Sequence, residues 1–290
     1  MGKTILLTGA TGFVGRQIHR ALLDAGHSVV AVVRRSTASI LAVERRAARV
    51  IETEDVFAQS ADWWAAQCQG CDAVIHAAWY VEAGKYLDSP LNFHCVTGSL
   101  ALAQGAARAG ISHFIGLGTC VEYRLPSNHL TVNSPLEPKT LYAAAKLSTY
   151  QMLDRYFAGL GLGFSWCRIF YLYGEGEHPA RLVPYLRQQL SQGLAAKLSK
   201  GTQWRDFLDV KEAGKMIAGV VDTGQTGAVN ICSGKAVTIR ALAERIADDY
   251  GRRDLLEFGT AEIHPTDPLA VVGVCNVAAF KPASGVMAAG

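Results

Sequence analysis

Lys3-Thr-Ile-Leu-Leu-Thr-Gly-Ala-Thr-Gly-Phe-Val-Gly15 stands at the head of the chain and runs on into Arg16-Gln-Ile-His-Arg-Ala-Leu-Leu-Asp-Ala-Gly26. Lys3 to Thr8 is a short apolar run of the kind that forms a buried strand, and Phe13 to Ala25 repeats apolar residues at helical spacing until Gly26 stops it. Gly9, Gly12 and Gly15 therefore fall in the turn between strand and helix, with GxxGxxG spacing. Glycines there let the backbone close on a pyrophosphate, while the helix N-terminus offers N–H donors and the positive end of its dipole. Thr11, Phe13 and Val14 share the turn and join the glycines as the expected cofactor cradle. The competing reading is a tight turn with no ligand.

The same alternation recurs down the first half of the chain. Ser28 to Val33, Ala73 to Ala77, His113 to Leu117 and Phe164 to Phe170 read as strands, with helical segments such as Leu100 to Ala109 and Tyr142 to about Leu160 between them. Such a pattern implies an α/β fold: a Rossmann-type doubly wound parallel sheet with helices on both faces. After Phe170 the texture changes to a glycine-rich loop (Tyr171 to Pro179), a helix (Ala180 to Gln192), and two short strands around a polar turn within Lys197 to Val210. Ala228 to Cys232 and a helix from Thr238 to Tyr250 follow, and the small-residue tail from Phe280 to Gly290 reads as a frayed end. The expected division is a dinucleotide-binding domain over 1–170 and a smaller C-terminal substrate-binding lobe over 171–290, some segments of which return to the main domain.

Composition narrows the function classes. A chain of 290 residues, half of them hydrophobic, can bury a large core. A formal charge of +3 without a concentrated Lys/Arg run supplies no footprint for nucleic acid or an anionic membrane, and Glu44-Arg45-Arg46 to Arg49 reads as a solvated helix face. No apolar stretch reaches the length of a membrane span, and no cleavable signal precedes the first strand, so the expected location is the cytoplasm. Seven cysteines, an odd number scattered through strands and helices, suit reduced thiols. Cys68-Gln-Gly-Cys71 lacks a second pair at zinc spacing and is read as a solvent-side helix end and turn, so no metal site is expected.

Two further places carry chemistry. The second strand ends Val32-Val33-Arg34-Arg35, where NAD-binding domains place a carboxylate for the ribose. Two guanidiniums there favour NADP(H) through bidentate contact with a 2′-phosphate; NAD(H) is the alternative, with Arg34 and Arg35 as ordinary surface charge. Asp55 is placed near the adenine. Tyr142 and Lys146 stand four apart on one helix face, bringing an ammonium beside a phenol. An ordinary phenol titrates near pH ~10, and a nearby cation lowers that value, which makes Tyr142 a usable general acid/base. Thr119 follows the strand at 113–117, at the sheet edge where open α/β folds bind ligands, and Cys120 beside it is read as a packing residue.

These residues, taken together, resemble the extended short-chain dehydrogenase/reductases that act on nucleotide sugars. The likeness spans essentially the whole chain: GxxGxxG, His76-Ala-Ala78, Gly118-Thr-Cys-Val-Glu-Tyr123, Tyr142xxxLys146, Arg168-Ile-Phe-Tyr-Leu-Tyr-Gly174, Arg181-Leu-Val-Pro184, Arg205-Asp-Phe-Leu-Asp-Val210 and Asn230-Ile-Cys-Ser-Gly234. The resemblance implies a catalytic triad of Thr119, Tyr142 and Lys146, with Lys146 also holding the nicotinamide ribose and Ala77 and Ala78 lining the cofactor. It further implies Arg205 on the substrate diphosphate, assistance from Arg181 and Tyr171, and a homodimer. Without the resemblance Arg205 reads as half of a surface Arg–Asp pair. Departures from the family pattern are informative. Thr119-Cys120-Val121 replaces the Thr-Asp-Glu of the sugar dehydratases, Cys95 replaces a helix asparagine, Tyr171 replaces the asparagine after Arg-x-Phe, and His264-Pro-Thr-Asp267 replaces Arg-Pro-Gly-Asp. The expected activity is NADPH-dependent reduction of a nucleotide-linked 4-keto-deoxysugar. A 4-epimerase with tightly held NAD is the runner-up, and a non-catalytic dinucleotide sensor is the rival from another class.

Overall fold

The computed structural model describes residues 2–38, 47–262 and 267–278. In chain order the elements are β1 (Thr4–Thr8), α1 (Phe13–Asp24), β2 (Ser28–Arg34), β3 (Arg49–Thr53), α2 (Ala61–Gln67), β4 (Ala73–His76), α3 (Leu91–Arg108), β5 (His113–Thr119), β6 (Ser127–Leu130) and α4 (Leu141–Leu160). There follow β7 (Gly163–Ile169), β8 (Tyr171–Tyr173), α5 (Leu182–Ser191), β9 (Ala196–Leu198), β10 (Trp204–Asp209), α6 (Val210–Thr223), β11 (Gly227–Ile231), β12 (Ala236–Thr238), α7 (Ile239–Asp249), β13 (Leu256–Phe258) and β14 (Ala270–Gly273).

Seven strands form one parallel sheet in the order β11-β7-β5-β4-β1-β2-β3. Successive side chains of a strand face opposite sides, so each inner strand feeds two cores. Ile5, Leu7, Val29, Ala31 and Ile75 pack with Ile18 and Leu22 of α1 and Met216, Ile217 and Val220 of α6. Leu6, Val30, Val74, Phe114 and Trp166 pack on the other face with Trp64 of α2, Leu102 and Ala106 of α3, and Leu153 and Phe157 of α4. The strand order reverses between β1 and β4, and an open α/β sheet has its crevice outside the carboxyl ends of the strands at such a point.

The second sheet crosses the expected division of the chain. β10 pairs with β8, β12 and β14, and β14 pairs with β6 from the first half, while β11 from the second half closes one edge of the large sheet. β9 and β10, expected as two strands around a turn, do not pair with each other: β9 pairs with β13. α5 and α7 bury Leu186, Leu190, Leu242 and Ile246 over this lobe.

Several expectations change in detail. The helix expected from Leu100 begins at Leu91, the loop after Phe170 opens with the strand Tyr171–Tyr173, and Thr119 is the last residue of β5 rather than lying beyond it. Cys68 and Cys71 do end a helix and begin a turn, yet both are buried against Trp64 and Val74 instead of facing solvent, and burial pushes the Cys68 thiol up to about 12. All seven cysteines are free thiols. Residues 44–46 of the basic cluster, 264–266 of the substituted motif and the tail from 280 lie outside the described residues. Among the described residues no helix is long and apolar enough to cross a membrane.

α1 and α6 pack closely because Gly214 has no side chain: a Cβ there would lie 2.7 Å from the backbone carbonyl of Gln17. Gly214→Ala is expected to force the two helices apart and lower stability by about 1–3 kcal/mol, a loss read from the thermal melting curve.

Candidate active site

The turn after β1 is built to bring backbone close to a ligand. Gly9 has φ +72°, and a Cβ on it would come within 2.7 Å of the Ala78 nitrogen; a Cβ on Gly15 would lie 2.0 Å from the Gly9 carbonyl oxygen. α1 then begins at the N-cap Gly12 with no side-chain cap and no acidic residue in its first turn. Its first N–H groups are thus left for an anion, which a dinucleotide pyrophosphate fits.

A cavity of about 950 Å³ runs from this turn across the carboxyl ends of the large sheet. Gly9, Thr11, Gly12, Phe13, Val14, Gly15, Arg34, Asp55, Ala77 and Ala78 line one end, and Thr119, Tyr142, Lys146, Tyr171 and Arg181 the other. Arg35 is not among the lining residues: its guanidinium lies 2.8 Å from Glu54 and 3.9 Å from Glu52. Asp55 accepts from the Phe57 N–H at 2.8 Å and faces His94 Nε2 at 2.7 Å. Desolvation raises its pKa, but these partners outweigh it and hold the carboxyl below its ordinary value.

Under the cavity floor His76 links β4 to β1. The Ser99 hydroxyl donates to the Cys95 carbonyl at 2.7 Å, so at 2.8 Å it accepts from His76 Nε2–H. The neutral ring then accepts at Nδ1 from the Thr8 hydroxyl, also at 2.8 Å, and Thr8 Oγ1 receives the Ala78 N–H. Burial, with a smaller push from Lys146, holds the ring neutral down to about 3. The chain of bonds fixes Ala77 and Ala78 beside Gly9. Cys95, where the family pattern has asparagine, accepts the Tyr80 N–H on its sulfur at 3.4 Å.

Thr119, Tyr142 and Lys146 come together at the end of β5. The Thr119 hydroxyl faces the Tyr142 phenol, and this contact draws the phenol pKa down. Burial nevertheless pushes it well above the ordinary value, with Tyr86 and Glu122 adding to the rise. Burial drives Lys146 the other way, to about 7, partly offset by Glu122 and Cys95. The expectation that the ammonium lowers the phenol is therefore corrected: Lys146 Nζ donates to the Leu117 carbonyl at 2.6 Å and sits 3.7 Å from the Trp79 ring centre, and desolvation dominates both groups. Cys120 is buried, with its thiol pushed up to about 12, as fits a packing residue.

Arg205 lies in an adjoining cavity of about 310 Å³ that it shares with Tyr171, Glu177, Arg181, Phe207 and Asp267. It is buried, bonded to Asp267 at 2.6 Å and 5.1 Å from the Tyr171 ring centre. Arg205 does pair with an aspartate, but as a buried guanidinium rather than at the surface, while the neighbouring Asp206 turns inward to the N–H groups of Ser233, Gly234 and Gly273. Trp79 and Tyr80 also line the large cavity, whereas Tyr123 is core, bonded to Asn230, and Trp204 is exposed and lines neither cavity. Sequence reasoning passed over Tyr86, whose ring meets that of Tyr142 edge-on at 4.9 Å, and Glu122 as a residue acting on the site. Thr119-x-x-Glu122 is a capping-box spacing, the signal that reveals Glu122.

Residues 5–232 match the model of the NAD dependent epimerase/dehydratase family. The chain belongs to that family. Its relatives include dTDP-6-deoxy-L-talose 4-dehydrogenase (NAD(+)) of Aggregatibacter actinomycetemcomitans, 25% identical over 93% of this chain and 98% of the relative. GDP-6-deoxy-D-mannose reductase of Pseudomonas aeruginosa is 28% identical over 86% of this chain and 80% of its own. In fold it is similar to UDP-N-acetylglucosamine 4-epimerase of Methanobrevibacter ruminantium M1, with TM-score 0.86, 22% identity and coverage of 97% and 93% of the two chains. Family membership agrees with the glycine cradle and the Tyr142–Lys146 helix that the sequence pointed to.

His76→Leu is expected to leave the Thr8 and Ser99 hydroxyls without their partner and to lower stability by about 1–3 kcal/mol. Dinucleotide affinity, measured by fluorescence titration, should fall with it because Ala78 loses its anchor. In the unaltered protein, nitrogen-15 NMR should find the His76 ring neutral at pH 5.

Proposed function

We propose that this protein reduces the 4-keto group of a nucleotide-linked deoxysugar, using NADPH. The observation that carries this reading is the Thr119 hydroxyl against the Tyr142 phenol at one end of a cavity whose other end is the glycine cradle. The fit of α1 to a pyrophosphate supports a dinucleotide, held by Gly9, Gly12, Gly15 and the first turn of the helix. When bound, the nicotinamide supplies the hydride.

The chain's own groups do the rest. Tyr142, its phenol kept protonated by burial, donates a proton to the carbonyl oxygen while the Thr119 hydroxyl orients that oxygen. Lys146 offers a cation beside the phenol below pH 7, and above it an amine. Arg181 lines both cavities and Arg205 the smaller one, which supports their holding a diphosphate. Cys120 and Val121 supply no acid or base for elimination, which weighs against dehydration.

The names of the talose dehydrogenase and the deoxymannose reductase support redox chemistry on a nucleotide-linked deoxyhexose. The first also carries NAD(+), whereas Arg34 at the end of β2, with no carboxylate closing that strand, supports a 2′-phosphate. A 4-epimerase reading draws on UDP-glucose 4-epimerase of Corynebacterium glutamicum, 24% identical over 85% of this chain, and uses the same trio of side chains.

NADPH and NADH oxidation against a panel of UDP-, dTDP- and GDP-linked 4-keto-6-deoxyhexoses separates these readings. Stoichiometric NADPH loss is expected, with Tyr142→Phe slower by about 10²–10⁴-fold at similar cofactor affinity. Interconversion of two epimers with no net NADPH loss would remove the reductase reading, and a preference for NADH would remove the cofactor assignment.

Lys146→Met should abolish turnover yet raise the melting temperature. The buried amine binds its proton near 7 when folded and near its ordinary 10.5 when unfolded, so its cost to stability is full below pH 7 and shrinks as pH rises toward 10.5. The gain in melting temperature should therefore be largest at pH 7 and below, and narrow by pH 10.

A further inference from the structure

The last three residues of β5 meet a buried polar cluster that the proton transfer above does not itself use. The Glu122 side chain, fully buried, accepts the Thr119 backbone N–H at 2.8 Å, the Trp166 indole N–H at 3.0 Å and Arg168 Nε–H at 2.8 Å. Arg168 also reaches the Tyr123 hydroxyl at 3.2 Å, and Tyr123 donates to Asn230 at 2.7 Å. Gly118 makes room for this arrangement: a Cβ on it would lie 2.2 Å from the Trp166 indole nitrogen and 2.6 Å from the Glu122 carboxylate. Lys146 Nζ lies 5.8 Å from the centre of the same indole while bonded to Leu117.

We propose that Glu122 is a positioning residue for the reaction. Its carboxylate fixes the backbone that carries the Thr119 hydroxyl and, held on the Trp166 indole N–H, places a buried negative charge near Lys146, whose Nζ is 5.8 Å from that ring centre. This rests on the assignment of Thr119, Tyr142 and Lys146 as the reacting trio.

The groups around the trio make Glu122 the source of that charge. Glu122 and Cys95 are the two groups whose electrostatic influence favours the Lys146 ammonium, while Lys146 in turn disfavours charge on His76. Tyr142 meets the Thr119 hydroxyl and the rings of Tyr86 and Trp79, and the charge of Glu122 and the thiol of Cys120 act on it through space. Arg168 spends its charge on Glu122 and Tyr123, with its guanidinium 4.8 Å from the ring centres of both Tyr123 and Tyr150. Of the two charges in the buried pair, the carboxylate is the one that acts on Lys146, while the guanidinium meets the same helix further along, at the Tyr150 ring.

Two variants separate anchoring from charge. Glu122→Gln with Arg168→Met removes both members of the ion pair while leaving the Gln carbonyl to accept the Thr119 N–H. Glu122→Asp keeps the charge and shortens its reach. Lys146 is followed by NMR in lysine-labelled protein, its signal assigned with Lys146→Met, so the readout needs no sugar substrate. The double variant should lower the Lys146 titration midpoint by about half a unit or more, and the pH above which reduction slows should fall by the same amount. Glu122→Asp should leave the midpoint in place and reduce kcat by about tenfold with KM little changed. A folded double variant with an unmoved or raised midpoint overturns the charge role; if that variant does not fold, a midpoint in Glu122→Asp that drops as after charge removal overturns it. Full kcat in Glu122→Asp overturns the anchoring role. Should no sugar nucleotide react while the midpoint shifts as expected, the reductase reading fails and the electrostatic link stands.

Discussion

Leu117, Gly118 and Thr119 hold the candidate active site together through their backbone. The Leu117 carbonyl takes the Lys146 ammonium, the Thr119 N–H is held by Glu122, and Gly118 leaves the space into which Trp166 and Glu122 project. β5 lies inside the sheet, paired with β4 as far as Gly116 and with β7 through Thr119, so the positions of these backbone groups are set by the ladder to β7. Lys146 and Tyr142 are held against that rigid edge by α4, a helix of 20 residues whose Leu153 and Phe157 are locked into the core. A reacting carbonyl would thus meet donors positioned before it arrives, the arrangement that lowers a barrier most effectively.

The same edge concentrates electrostatic cost. Lys146, Glu122 and Arg168 lie out of water and Tyr142 partly so, and desolvation drives the amine toward neutrality and the phenol away from ionisation. A buried ion pair such as Glu122–Arg168 adds little net stability, because desolvation offsets most of its attraction, while loss of one partner is severely destabilising. Its value here is geometric, since the carboxylate is bonded to the backbone of Thr119 and the guanidinium is stacked between two tyrosine rings.

Much of the fold was legible because its signals are local. The run Lys3 to Thr8, the glycines at 9, 12 and 15 and the helical spacing of Phe13 to Ala25 lie in one continuous stretch, and the observed β1 and α1 fall within it. β3 and α6 were passed over: β3 is an edge strand of largely exposed residues, and α6 follows β10 without a glycine or proline to mark the change. Within the site, spacing brought Tyr142 and Lys146 to one helix face but misjudged what governs them, since the i,i+4 relation speaks of proximity and not of water. Arg35 was grouped with Arg34 because they are adjacent in sequence; at the end of a strand adjacent side chains diverge, and Arg35 turns to Glu54.

The sequence by itself determined the parallel α/β architecture, the strand, glycine turn and helix at its head and the placing of Tyr142 and Lys146 on one helix, because each depends on residues near one another in the chain or on one element's period. Tertiary structure alone decided the partners of Arg205 and Asp206, the burial of Cys68 and Cys71, the direction of the Tyr142 and Lys146 shifts, and the meeting of Glu122 with Trp166 and Arg168. Those properties depend on how completely water is excluded and on which distant segment fills the space. Neither follows from local pattern, because desolvation is a property of the packed molecule.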